Sequence, residues 1–133
     1  MASKVNRRLI ESSRVEIREA SVSELPFSND FFDLVTAVET HFWWPDLPGD
    51  VKEVLQVLKP GGELVLIAEI YKGAKTKTAQ LAEKYLPISG MKLLSEQEHC
   101  ELLATAGYSD IEVQVEPAKG WIFTKAKKPN RMF

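Results

Sequence analysis

The hydrophobic period is clearest in the middle of the chain. Val51, Val54, Leu55 and Leu58 fall at i, i+3, i+4 and i+7, so they share one face of a predicted helix. Asp50 stands where an N-cap belongs, with Glu53 three residues on as its capping-box partner. The helix is predicted to stop at Lys59-Pro60-Gly61-Gly62, because Pro60 cannot continue it and paired glycines allow a tight reversal. Residues 63–70 are then nearly unbroken in apolar character, as expected of a strand covered on both faces of a parallel sheet.

The flanking patterns are shorter. Residues 2–13 read as a helix anchored only by Val5 and Leu9. Residues 14–19 alternate, with Val15 and Ile17 on one face, and predict a strand. A loop around Leu25-Pro26-Phe27 leads into a second strand, 31–39, rich in Phe32, Leu34, Val35, Ala37 and Val38. The loop 40–49 carries His41, Phe42, Trp43, Trp44 and two prolines. The irregular stretch 72–94 is basic at Lys72, Lys75 and Lys77, with a helix expected over 78–86, and is assigned as a lid or insert. Ser95 and Glu98 form a capping box for a helix over 95–106, which Gly107 ends. Ile111 to Val115 and Trp121 to Lys125 predict an antiparallel hairpin, and 127–133 a mobile basic tail. Alternating helices and strands with a terminal hairpin indicate an open α/β sheet.

The 133 residues make one domain, and 44% apolar with 27% charged residues excludes wholesale disorder. A net charge of −2 argues against nucleic acid as a general partner, since phosphate contact needs a basic face. No apolar run reaches membrane-spanning length, and no signal-peptide core opens the chain, so no membrane association and a cytoplasmic location are expected. The single cysteine, Cys100, can make no internal disulfide and belongs to no metal-type spacing.

Three motifs, in this order and spacing, carry a family resemblance. They are Leu25-Pro26-Phe27, Phe32-Asp33-Leu34-Val35 and Leu58-Lys59-Pro60-Gly61-Gly62 with the strand after it. The chain resembles the C-terminal two-thirds of a class I S-adenosylmethionine-dependent methyltransferase, and the likeness extends over nearly its whole length. The resemblance implies a partial Rossmann-like methyltransferase sheet, mostly parallel, with a C-terminal antiparallel hairpin. It implies methyl transfer from S-adenosylmethionine to an acceptor by a parent enzyme, the acceptor most simply a small molecule. The family's opening strand, its glycine-rich turn and the carboxylate that holds the ribose have no counterpart here; the only paired glycines are Gly61 and Gly62. The resemblance therefore implies a truncated methyltransferase or a natural partial domain, binding the cofactor weakly or not at all alone. The strand 31–39 would lose its usual neighbour, and the gap is expected to close by pairing with 14–19, by homodimerisation, or by both.

Candidate chemistry follows from the rule that open α/β sheets bind ligands beyond the C-terminal strand ends. By resemblance, Ser21 and Val22 match the adenine-contacting pair, although the family usually carries an acidic residue at the first position; an ordinary loop is the alternative. Glu39 and Thr40 fall at the mouth as cofactor contacts. Glu39 and His41 are the catalytic candidates on the acceptor side, His41 as a base where the acceptor is protonated. His99 and Cys100 are read as structural. A non-catalytic binding or oligomerisation module remains the alternative function. A dehydrogenase is disfavoured, because no nucleotide-phosphate loop or Tyr-x-x-x-Lys pair is present.

Overall fold

A computed structural model describes residues 5–130. The elements, in order, are α1 (Arg7–Glu11), β1 (Phe32–Val38), a 3-10 turn (His41–Trp43), α2 (Leu47–Val57), β2 (Leu58–Ala68), α3 (Lys77–Ser89), α4 (Glu96–Ala106), β3 (Ser109–Glu116) and β4 (Trp121–Lys127). The strands form one four-stranded sheet in the order β1-β2-β4-β3. β1 and β2 run parallel, whereas β2–β4 and β3–β4 are antiparallel. The α/β class is as expected. "Mostly parallel" narrows to the β1–β2 pair, because the described residues supply only one crossover of the βαβ kind.

The core lies on one face. Alternate residues of the strands (Ala37, Leu64, Leu66 and Ala126) are buried against Leu47, Val51 and Val54 of α2 and Leu103 of α4. Farther along, Ala68 and Ile122 pack on Ala79 of α3 and on Ile70 and Tyr71. Burial of such side chains stabilises by about 1.5–3 kcal/mol each. Tyr108 tucks its ring into the same core and donates its hydroxyl to Val51 O at 2.8 Å; burial raises its pKa.

Several boundaries differ from the sequence expectation, each for a physical reason. The central helix begins a turn before Asp50, after Asp46, with proline in its first turn. Asp50 is not the cap. It lies buried in the first turn, and its carboxylate reaches back to accept from Asp46 N at 3.0 Å and Ser23 Oγ at 2.7 Å. That helix ends at Val57, and the Lys-Pro-Gly-Gly segment already belongs to β2. Gly62 is required there. A Cβ on it would meet Lys59 O at 2.8 Å and Phe32 O at 3.0 Å, and both are backbone atoms. α3 is longer than expected, from its Thr76 cap to Gly90 in the left-handed region. The Ser95–Glu98 capping box and the Gly107 stop form as read.

The expected strand over residues 14–19 does not form. Its alternation is genuine, but a strand exists only by pairing, and β1 pairs on one side alone among the described residues. Direct closure of the β1 gap by this segment is thereby corrected. Of the helix predicted over 2–13, the described residues hold α1; residues 1–4 lie outside those described. At the other end, Lys127 completes β4, and Lys128 is held by backbone bonds to Gly61 and Gly62 and by its ammonium on Asp30 at 2.9 Å. Order thus extends into the expected tail, of which 131–133 lie outside the described residues.

Candidate active site

Parallel pairing brings the C-terminal ends of β1 and β2 side by side. Glu39 directly follows β1 and sits at φ +58, the left-handed region that non-glycine residues seldom occupy. Two contacts hold it there. Its own N–H donates to Ile67 O at 2.8 Å, and its carboxylate accepts from the N–H of Glu69. Glu39 therefore ties the two strand ends together, with its side chain still exposed to solvent.

Glu69 also borders a hollow of about 450 Å³ on the helix-free face of the sheet, lined in part by Ile67, Gln114, Glu116, Trp121 and Phe123. Lys119 places its ammonium 4.4 Å from the centre of the Trp121 ring, a cation–π contact. A second hollow, about 490 Å³ between α2 and α4, contains none of the strand-end residues.

Thr40, exposed, precedes the 3-10 turn that carries His41. His41 does not face the mouth. It is 2% exposed, and its Nε2 lies 2.9 Å from Nε2 of His99, itself buried on α4. The protons follow from the partners. His99 Nδ1 is 2.7 Å from Ser95 O, which only accepts, so Nδ1 carries the hydrogen and Nε2 is a lone pair. His41 must then donate through Nε2, which leaves its Nδ1 a buried acceptor with no partner. Burial, reinforced by the neighbouring His99, lowers the His41 pKa to about 4. His99 is lowered too by burial, against the opposing pull of its bond to Ser95 and of Glu98. An imidazole this weakly basic is a poor general base at neutral pH. Its evident work is to fasten the loop after β1 to α4. Sequence reasoning treated the two histidines separately; nothing in a spacing of 58 residues announces a pair.

Ser21 and Val22 lie in the loop that precedes β1. The Ser21 hydroxyl accepts from Ser23 N at 3.2 Å, and Val22 packs on the core. Asp50 and Glu53 of α2 fasten this loop through Ser23 Oγ and Leu25 N. Among the described residues no hydrogen bond joins Ser21 or Val22 to Glu39 or Thr40. Asp50 and Glu53, read as helix caps, are in fact the supports of the candidate adenine loop. Their signal was present, since two acidic residues on the first turns of a helix have carboxylates to spare for a neighbouring loop.

Comparison with known proteins fits this geometry. The family model for a methyltransferase domain matches residues 1–66. The chain is 28% identical over 99 residues to the chloroplastic 2-methyl-6-phytyl-1,4-hydroquinone methyltransferase of Arabidopsis thaliana, covering 74% of this chain and 28% of that protein. Together these matches support a class I S-adenosylmethionine-dependent methyltransferase. The fold of this chain also matches a "SAM-dependent methyltransferase, possible histamine N-methyltransferase" from Thermotoga maritima, with a TM-score of 0.70 and 18% identity over 95% of this chain and 68% of that one. A phosphoethanolamine N-methyltransferase of Haemonchus contortus, solved with S-adenosylhomocysteine, matches with a TM-score of 0.67 and 16% identity, over 83% of this chain and 36% of that one. The chain spans less than a third of the length of the plant relative.

The residues present do not make up the family's full cofactor cradle: no glycine-rich turn and no ribose-binding carboxylate stand ahead of the Ser21–Val22 loop in the sequence. No helix among the described residues is long and apolar enough to cross a membrane.

Proposed function

We propose that this chain forms the acceptor side of an S-adenosylmethionine-dependent methyltransferase acting on a small molecule. The observation that carries the reading is the junction of Glu39 with Glu69 N–H at two parallel strand ends beside a hollow. Displacement at a sulfonium needs alignment and exclusion of water before it needs a base. Glu39 and Thr40 frame the mouth and orient the acceptor and the donor's sugar side. His41 acts from behind, holding Thr40 in place through His99. Ser21 and Val22 contact the adenine edge, Ser21 by its hydroxyl in place of the usual carboxylate.

This chain alone binds the cofactor weakly or not at all, since half of the cradle is missing from it. Titration calorimetry with S-adenosylmethionine and S-adenosylhomocysteine tests this. No saturable heat is expected from the chain alone, and binding is expected once a family strand and glycine-rich turn are fused ahead of it. Micromolar binding by the chain alone overturns the partial-cradle reading; a folded fusion that binds neither compound overturns the methyltransferase one. The second reading, a non-catalytic module that binds through its sheet, is favoured by the exposed Leu34 and Val38 of β1.

A further inference from the structure

Helix α3 carries two apolar faces. Ala79, Ala82 and Leu86 pack inward on the cluster around Ala68 and Ile122. Leu81, Tyr85 and Ile88 fall at i, i+4 and i+7 and form a second stripe, 55%, 50% and 85% exposed. At 3.6 residues per turn the stripe sits roughly 130° round the axis from the inward side chains, so it is turned outward from the core. It lines neither of the hollows described above. Charge around it is one-sided. Residues 72–92 hold five lysines and one acid, Glu83, in a chain of net charge −2. The Glu83 carboxylate is engaged by the backbone, accepting from Gly73 N–H at 3.2 Å. Lys72 pairs with Glu98 at 3.7 Å, and Lys92 donates to Trp44 O at 2.8 Å. Lys75, Lys77 and Lys84 are exposed and make no ion pair among the described residues. Lys77 stands four residues before Leu81 and Lys84 four before Ile88, so both ammoniums run along one flank of the stripe.

We propose that α3 seats on an anionic lipid surface. Leu81, Tyr85 and Ile88 enter the boundary between headgroups and acyl chains, and Lys75, Lys77 and Lys84 lie against the lipid phosphates. The combination of features selects this occupant. An apolar row bordered by lysines matches a surface that offers hydrocarbon and negative charge side by side. A nucleic-acid backbone offers the charge without the hydrocarbon. A second copy, seated stripe to stripe, would bring Lys77 and Lys84 against the same lysines of its partner. Tyr85 suits the boundary, since its ring is apolar and its hydroxyl stays wet. At 13 residues the helix is about 20 Å long and lies in the plane of the surface without spanning it. The expectation of no membrane association rests on spanning length, which an interfacial helix does not need. The lysines near the other end of the chain are engaged, Lys127 with Glu63 at 3.9 Å and Lys128 with Asp30 at 2.9 Å.

Co-sedimentation of the chain with vesicles tests the proposal, comparing phosphatidylcholine mixed with phosphatidylserine against phosphatidylcholine alone. The chain should pellet with the mixed vesicles, stay in solution with the neutral ones, and be released by high salt, which screens exposed charges. Lys77→Gln with Lys84→Gln should weaken binding roughly tenfold. Leu81→Gln with Ile88→Gln should also weaken it roughly tenfold without moving the thermal melt, as both side chains are exposed. A chain that ignores the mixed vesicles overturns the proposal, and so does equal binding to both kinds. So does either double variant, folded by circular dichroism, that binds as tightly as wild type. Sedimentation velocity without lipid supplies the last arm. A dimer that Leu81→Gln with Ile88→Gln dissolves would show a second copy on the stripe, and overturns it too.

Discussion

The two faces of one sheet have opposite fates. In β2, Leu64, Leu66 and Ala68 are sealed beneath the helices, while Ile67, between two of them, is more than a third exposed. In β1, Ala37 is buried and its neighbour Val38 is open. Composition does not distinguish the two sets, since both are aliphatic. What separates them is that α2, α3 and α4 all pack on the same side. The covered face is where the fold's stability resides. The uncovered face, with the open edge of β1 and the hollow near Glu69, is where this chain has surface left for a ligand or another chain. Parallel pairs are ordinarily covered on both sides; here, among the described residues, no helix covers the second face.

The largest test of that contrast is a pair of substitutions one residue apart. Leu66→Ala should cost about 2–5 kcal/mol in denaturant unfolding, because it leaves a cavity under α2 and α4. Ile67→Ala should cost less than about 1 kcal/mol, and equal losses would erase the distinction between the faces. Next comes acid. His41 titrates near 4 when folded and near 6.5 when free, so between those values the unfolded chain holds more protons. The stability the neutral pair confers is complete above about pH 6.5 and drains away as the pH falls toward 4, by roughly 3 kcal/mol at most. Thermal melts across that window should show a shallower slope for His41→Asn combined with His99→Gln than for wild type. On the loop side, Asp50→Ala removes the acceptor of Ser23 Oγ and Asp46 N and should cost about 1–3 kcal/mol, with faster proteolysis at residues 21–25 as its signature. A smaller loss than at Asp50 is expected at Ser95→Ala, about 1 kcal/mol from a lost capping box, with no change in the exchange of β1 amides.

Much of this was legible beforehand, and the misses share a cause. The strand at β1, the central helix and strand, the Ser95 helix and the hairpin were all carried by local signals: period, caps and turn residues. The strand predicted at 14–19 had a comparable local pattern, but it had no neighbour to pair with. Asp50 was placed at a cap by its distance from Glu53, yet its carboxylate bonds to a residue 27 positions away as well as to the helix start. His41 was placed at a strand mouth by its position after β1. Burial against His99 then took it out of solvent and lowered its basicity. For the site, the sequence pointed to the strand-end residues, and it could not show that Glu39 clasps Glu69 or that Asp50 and Glu53 fasten the loop that carries Ser21 and Val22.

By itself the sequence determined the element types, the α/β class and the family, because spacing and turn chemistry are properties of neighbouring residues. Only the tertiary structure decided which face of the sheet is covered, which histidine meets which, and which edge stays open. Those outcomes depend on where distant segments come to rest, and a side chain's burial, protonation and partners are fixed by whatever arrives beside it.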